Sequence, residues 1–130
     1  MGRGPAPGAR SCSVPGMELK VIQVDEALTH IALCGRLDIR GVSEIENRFL
    51  FTTTSRRVPA VIDLSEVEFI ASLGIGMLVG AAKALTRQGL GLVLLVPPGL
   101  VRETLELSGL TRVVPTATDM ESARSLLARS

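Results

Sequence analysis

Ser72 carries the most informative hydroxyl of this chain. It stands in Ala71-Ser72-Leu73-Gly74, directly before a stretch whose apolar residues fall at helical spacing. A hydroxyl at the amino end of a helix has two uses. As an N-cap its oxygen accepts a backbone N–H of the first turn, a bond whose loss costs about 1 kcal/mol. As a phosphorylation site it gains about −1.5 to −2 charges, which the unpaired N–H groups and positive pole of the helix can accept. Both uses stay open for Ser72. The other reactive residues do not assemble into a catalytic set. Asp63 and Ser65 flank the end of an apolar run, but neither a histidine nor a second acid is spaced to complete an arrangement with them. Asp63 is read as fixing a turn. His30, the one histidine, lies in an alternating pattern and reads as structural. No Gly-Lys-Ser/Thr follows to make a P-loop of Gly74, Gly76 and Gly80, and no CxxC or Cys/His spacing suits zinc. No catalytic residue, metal or cofactor is expected. The chain reads as a binding protein, not an enzyme.

Composition narrows the partners. With 46 % hydrophobic residues in 130, the chain can bury one sizeable core. Tyr and Trp are absent and Phe occurs three times, so that core is aliphatic. The same scarcity argues against a base-stacking surface for single-stranded nucleic acid. Net charge is +1; without Arg3 and Arg10 of the first sixteen residues, 12 basic residues face 13 acidic ones. Such a balance leaves no electrostatic footprint for nucleic acid. No apolar run approaches the ~20 residues that span a bilayer, so no direct membrane insertion is expected. Cys12 and Cys34 sit in settings too different for a disulfide framework, which points to a reduced, cytoplasmic environment.

The elements that position Ser72 follow from periodicity. Residues 1–16, rich in Gly and Pro, read as a flexible tail without the apolar core of a secretory signal. Residues 17–130 form the folded domain, and Met17 is a second candidate for the start of translation. Glu18 to Val24 alternates as a strand, and Thr29 to Cys34 is its hairpin partner. Gly35-Arg36-Leu37-Asp38 breaks the pattern, with Arg36 read as a solvated edge residue. Val42, Ile45 and Phe49 then make a helical stripe, opened by Gly41 or Ser43. Phe51 to Pro59 is a loop or frayed helix end. Val61 to Leu64 is a strand buried on both faces, and Ile75, Leu78, Val79, Ala82 and Leu85 are the buried stripe of the helix after Ser72. Gln88-Gly89 closes that helix.

Leu92 to Val96 is a further buried strand, followed by a short helix with Leu100, Val101, Thr104 and Leu105 on one stripe and an end at Ser108-Gly109. Arg112 to Val114 is a last short strand. Asp119 caps a final helix that buries Met120, Ala123, Leu126 and Leu127. The order β-β-α-β-α-β-α-β-α predicts an α/β domain. Its mostly parallel sheet of four to five strands has an antiparallel hairpin at one edge and about four helices.

This order and three motifs resemble the STAS domain of the anti-sigma factor antagonists. The motifs are Gly35-Arg36-Leu37-Asp38, the stretch Ile62-Asp63-Leu64-Ser65-Glu66-Val67-Glu68-Phe69-Ile70-Ala71-Ser72-Leu73-Gly74, and Leu105-Glu106-Leu107-Ser108-Gly109-Leu110. The resemblance implies a regulatory protein that sequesters a kinase-like ATPase, the anti-sigma factor, and so releases a sigma factor. In switchable members the partner phosphorylates a serine in an Asp-Ser-Ser-Gly turn, which ends the association, and a phosphatase restores it. Aligned on Gly74, this chain has Ala71 for the aspartate, Ser72 for the first serine and Leu73 at the usual acceptor. Ser72 is therefore the phosphorylation candidate. The resemblance also implies a place for Asp38 on the partner surface, although a turn acid commonly bonds its own backbone.

Ile70, Leu73, Ile75 and Met77 are the candidates for exposed apolar contact, with the provision that helical periodicity buries some of them. Gly74 is expected to leave room for a partner backbone, and Gly80 to pack closely on a neighbour. An alternative of a different class is a STAS-type accessory subunit of a membrane transporter, held at the membrane through a protein partner.

Overall fold

The computed structural model describes residues 17–24, 28–55 and 57–128. The expected tail at 1–16 lies outside them. Strands β1 (Met17–Val24) and β2 (Thr29–Leu37) form the hairpin, followed by α1 (Ile39–Thr54), β3 (Ala60–Ile70) and α2 (Ser72–Arg87). Then come β4 (Leu92–Leu95), α3 (Leu100–Ser108), a 3₁₀ turn over Leu110–Arg112, β5 (Thr116–Ala117) and α4 (Met120–Ala128). The sheet order is β1-β2-β3-β4-β5, with β1 antiparallel to β2 and all later pairs parallel. The α/β architecture and hairpin edge agree with the expectation.

Alternation along the strands builds three layers. Ile31, Leu33, Ile62, Leu64, Leu92 and Leu94 point to one face, where Val42, Ile45 and Phe49 of α1, Leu78 and Leu85 of α2, and Val101 and Leu105 of α3 cover them. Val61, Val93, Leu95 and Ala117 point to the other face, where α4 places Ala123 with Met120, Leu126 and Leu127 beside it. The centre of the sheet is thus covered on both sides, which is why β4 reads as an unbroken apolar run and the first half of β3 as one interrupted only by Asp63.

Several boundaries are corrected. The second strand does not stop at Cys34 but runs through Leu37, because Gly35 takes φ +115° and carries the chain onward beside β3. Asp38, not Gly41 or Ser43, caps α1: its carboxylate accepts the Gly41 N–H at 2.9 Å. The threonine stretch is helical to Thr54, since the Thr53 and Thr54 hydroxyls donate back to the carbonyls of Phe49 and Leu50 instead of competing for the backbone elsewhere. The last strand lies at Thr116–Ala117, not Arg112–Val114, where Leu110–Arg112 forms the 3₁₀ turn. Asp119 accepts the Ser122 N–H at 2.8 Å, as a cap should. Cys34 is buried and disulfide-bonded, which corrects the expectation that the cysteines form no disulfide framework; Cys12 lies outside the described residues.

The strand expected over Val61 to Leu64 is the longest correction. It runs eleven residues to Ile70, and beyond Asp63 it pairs with β2 and no longer with β4. Two register shifts against β2 each give β3 an extra residue, one after Asp63 and one at Glu68. At the first, the Asp63 carboxylate accepts the Ser65 N–H at 2.9 Å, so Asp63 fixes a bulge within the strand rather than a turn after it. Such bulges bend a strand and re-aim the side chains beyond them. They deliver Phe69 and Ile70 to the end of the sheet where α2 begins.

Candidate functional site

The connection from β3 to α2 is a single residue. Ala71, extended at φ −106° and ψ 175°, is the N-cap of α2, and its N–H donates to the Leu37 carbonyl at 2.9 Å. Its methyl group offers no acceptor, so no side chain caps the helix. Ser72 is the first helical residue and is exposed. The N-cap use of Ser72 is therefore corrected: a residue inside the first turn does not reach the N–H groups that a residue one position earlier would cap. Its hydroxyl stands at the open, positive end of a 16-residue helix.

Gly74 is buried against the end of the sheet. A Cβ there would lie 2.7 Å from Leu37 Cδ2, 3.0 Å from the Leu37 carbonyl oxygen and 3.1 Å from Ile70 Cγ1. It thus admits the chain's own β2 and β3, which corrects the expectation that it leaves room for a partner. Gly80 is corrected in the opposite sense. A Cβ at Gly76 or Gly80 would meet nothing within 4 Å, so neither packs closely on anything described. The tight seat at Gly74 also sets the rotation of α2. Met77, Leu78, Ala81, Ala82 and Leu85 are buried with it, whereas Ile75 and Val79 are half-buried at the margin of the core. The expectation of exposed apolar contact is corrected at Ile70 and Met77, both core residues here. Leu73 is 51 % exposed and Ile75 half-buried, so these two stay open to such contact.

Asp38 reaches the same end of the sheet from β2, at the start of α1. The Gly41 N–H, and after it the Arg36 guanidinium at 3.5 Å, hold its carboxyl below the usual carboxylate range. Phe69 and Ile39, to which the sequence assigned no role, and Arg36, read as a solvated edge residue, complete the surface. Phe69 pairs with Arg36 across β2 and β3, and the guanidinium lies 4.6 Å from the ring centroid. Arg36 is thus stacked and ion-paired rather than merely solvated. Ile39, opening α1, is 67 % exposed, and Phe69 is 37 % exposed. Period-two alternation held the signal for Phe69: once the strand is carried to an inward Ile70, its neighbour must point out. Ser72, Leu73, Ile39, Asp38 and the Arg36–Phe69 pair are thus carried by the adjoining ends of β2 and β3 and the helices that leave them. Exposed apolar side chains beside a carboxylate and a guanidinium are the make-up of a surface that can dock a protein. Among the described residues no group of three or more His, Cys, Asp or Glu could hold a metal ion.

A parallel α/β sheet with an antiparallel hairpin edge, three helices on one face and one on the other, and an open helix terminus at its end define a STAS-like domain. The chain belongs to the STAS family: residues 21–115 match the family model described as Mlab, STAS domain. No curated protein matches the sequence. Among solved structures it is similar to an anti-sigma factor antagonist from Mycobacterium paratuberculosis, with 21 % identity, TM-score 0.76, and 95 % of this chain and 97 % of that one covered. It is also similar to the anti-sigma factor antagonist SpoIIAA in its unphosphorylated form, at 24 % identity and TM-score 0.68, covering 84 % and 96 %. The phosphorylated Bacillus SpoIIAA aligns at 23 % identity and TM-score 0.62, covering 84 % and 99 %. These likenesses agree in fold. No helix among the described residues is long and apolar enough to cross a membrane.

Proposed function

We propose that this chain is a non-enzymatic regulator of the anti-sigma factor antagonist type. It sequesters a kinase-like ATPase anti-sigma factor and so frees a sigma factor. The observation that carries the reading is the exposure of Ile39, Phe69 and Leu73 around the open amino end of α2. Apolar side chains at a rim of charge, here Asp38 and Arg36, are the ordinary make-up of a docking surface. Ser72 is the control point. Its hydroxyl is not engaged as a cap, and a phosphate there would be tolerated by the helix end while its charge opposed apolar docking. A phosphatase would reverse the step. Two of the similar solved structures are SpoIIAA without and with phosphate, which supports looking for the same alternation in this chain. Leu73 at the usual acceptor favours a second reading, a docking module with no covalent switch, such as an accessory subunit of a membrane transporter.

Intact-mass measurement after incubation with a candidate anti-sigma kinase and ATP, with Ser72→Ala as control, tests the proposal together with complex formation by gel filtration. One added phosphate, lost in the control and weakening the complex, supports the full reading. A stable complex without phosphate keeps the docking function and removes the switch. Absence of a complex with every kinase-like partner, alongside recovery in a membrane-protein complex, establishes the second reading instead.

A further inference from the structure

The far end of α2 carries a second surface. Two adjoining hollows of about 400 and 310 Å³ share Ala82, Thr86 and Val113. Ala82, Leu90, Val113 and Pro115 give them apolar walls, and Lys83 and Arg87, one helical turn apart, give the rim. No acidic residue lines either hollow. Neither Lys83 nor Arg87 enters an ion pair among the described residues. Arg87 alone would be explained by the negative pole at the helix end; the hollow, Lys83 and the 61 % exposure of Val113 would not.

The complementary surface is on the same chain. Helix α3 is held on the sheet by Val101 and Leu105, which turns Leu100, Glu103, Thr104 and Leu107 outward. These four follow the i, i+3, i+4, i+7 spacing of a single face. Leu107 is 90 % exposed, and Leu100 is exposed as well. Glu103 lies between them, and Glu106 beside them shares a 3.7 Å ion pair with Arg102. Leucines with acids on one face of a helix match an apolar groove with a basic rim in both chemistry and sign.

We propose that the chain associates head to tail with a second copy of itself, the outer face of α3 of one protomer seating in the groove at the carboxyl end of α2 of the next. An acidic helix of another protein would account for the groove but leave Leu100 and Leu107 without a role; a second copy accounts for both. The two patches are different surfaces, so the contact is heterologous and leaves one patch free at each end. Assembly then grows with concentration into rings or short filaments. A contact of two leucines and two to four charges is weak and sensitive to salt. It lies at the opposite end of α2 from Ser72, so its failure leaves the reading of that face untouched.

Sedimentation velocity of the full chain over a concentration series, at low and high salt, tests this. The expected result is a mass that rises with concentration at low salt, with association weakened about tenfold or more when the charges are screened. Lys83→Glu with Arg87→Glu, and separately Glu103→Lys with Glu106→Lys, are each expected to be monomeric. An equimolar mixture of the two is expected to associate again, because each supplies the sign the other lost. Leu107→Ala, which keeps every charge, is expected to weaken association about tenfold through lost apolar burial. A wild-type chain that stays monomeric at low salt overturns the proposal and leaves the groove to an acidic segment of another protein. A mixture of folded, charge-reversed variants that stays monomeric overturns it equally.

Discussion

Replacing Gly74 by alanine sets two effects in α2 against each other. Glycine inside a helix costs about 1 kcal/mol relative to alanine, so propensity alone favours Gly74→Ala by that amount. Packing opposes it. The new Cβ would stand 2.7 Å from Leu37 Cδ2, which can rotate, but also 3.0 Å from the Leu37 carbonyl oxygen, which is held by the Ala71 N–H at 2.9 Å. Moving that oxygen means moving the joint between β2 and α2. Overpacking of this kind costs about 1–3 kcal/mol, and a backbone neighbour puts the cost in the upper part of that range. The net expectation is a destabilisation of about 1–2 kcal/mol, or a Tm lower by roughly 4–8 °C for a domain of this size.

The same helix supplies the controls. At Gly76 and Gly80 a Cβ meets nothing within 4 Å, so Gly76→Ala and Gly80→Ala should each stabilise by about 0.5–1 kcal/mol. Urea and thermal unfolding followed by circular dichroism measure all three. A Gly74→Ala protein as stable as the other two would refute the packing argument. Destabilisation by all three would refute the assignment of an open face to Gly76 and Gly80.

Three further outcomes follow from buried or capping groups. Thr29 is fully buried and its hydroxyl has no hydrogen-bond partner among the described residues, whereas its N–H donates to the Pro59 carbonyl at 2.9 Å. Thr29→Val keeps the shape and removes the unpaired group, and should stabilise by about 1 kcal/mol in urea unfolding; destabilisation would show that the hydroxyl is satisfied in solution. Burial lowers the pKa of His30 from 6.5, with Asp63 pulling it back up and Arg124 adding to the decrease. The unfolded chain therefore takes up this proton first, and the stability linked to neutral His30 is intact above 6.5 and declines as pH falls below it. Tm measured from pH 7.5 down to 5 should fall in the native protein and fall less in His30→Leu. Asp38→Ala should lower Tm, whereas Asp38→Asn, which can still accept the Gly41 N–H, should retain most of it at neutral pH. The carboxylate's contribution persists above its ordinary range near 3.8 and is lost as pH drops through its lowered value. Equal melting of the two variants would remove the cap from the account.

Much of the fold was legible because its signals are local. Leu92 to Leu95 is apolar throughout and Val61 to Leu64 is interrupted only by Asp63, and runs this short and apolar suit a strand covered on both faces. Gly89 and Gly109 end their helices at φ +78° and +85°, as their positions in sequence suggested. The carboxyl half of β3 was not legible, because Ser65 to Phe69 is mostly polar and is held extended by pairing with β2, a partner thirty residues away. The candidate surface suffered from the same omission. Without that half of β3, Phe69 has no direction and Arg36 has nothing to stack on.

By itself, then, the sequence determined the class of the domain, the order of its elements and the place of Ser72 at the head of α2, since periodicity and turn chemistry act over a few residues. The tertiary structure alone decided which residues of that region face out. Periodicity defines a stripe but not its rotation to within one residue, and here the rotation is set by Gly74 seated against Leu37 and Ile70. That one contact turns Met77 into the core and leaves Leu73 in solvent. Likewise, no local signal tells Asp38 from any other turn acid; only α1 beginning at Ile39 places the Gly41 N–H within reach of its carboxylate.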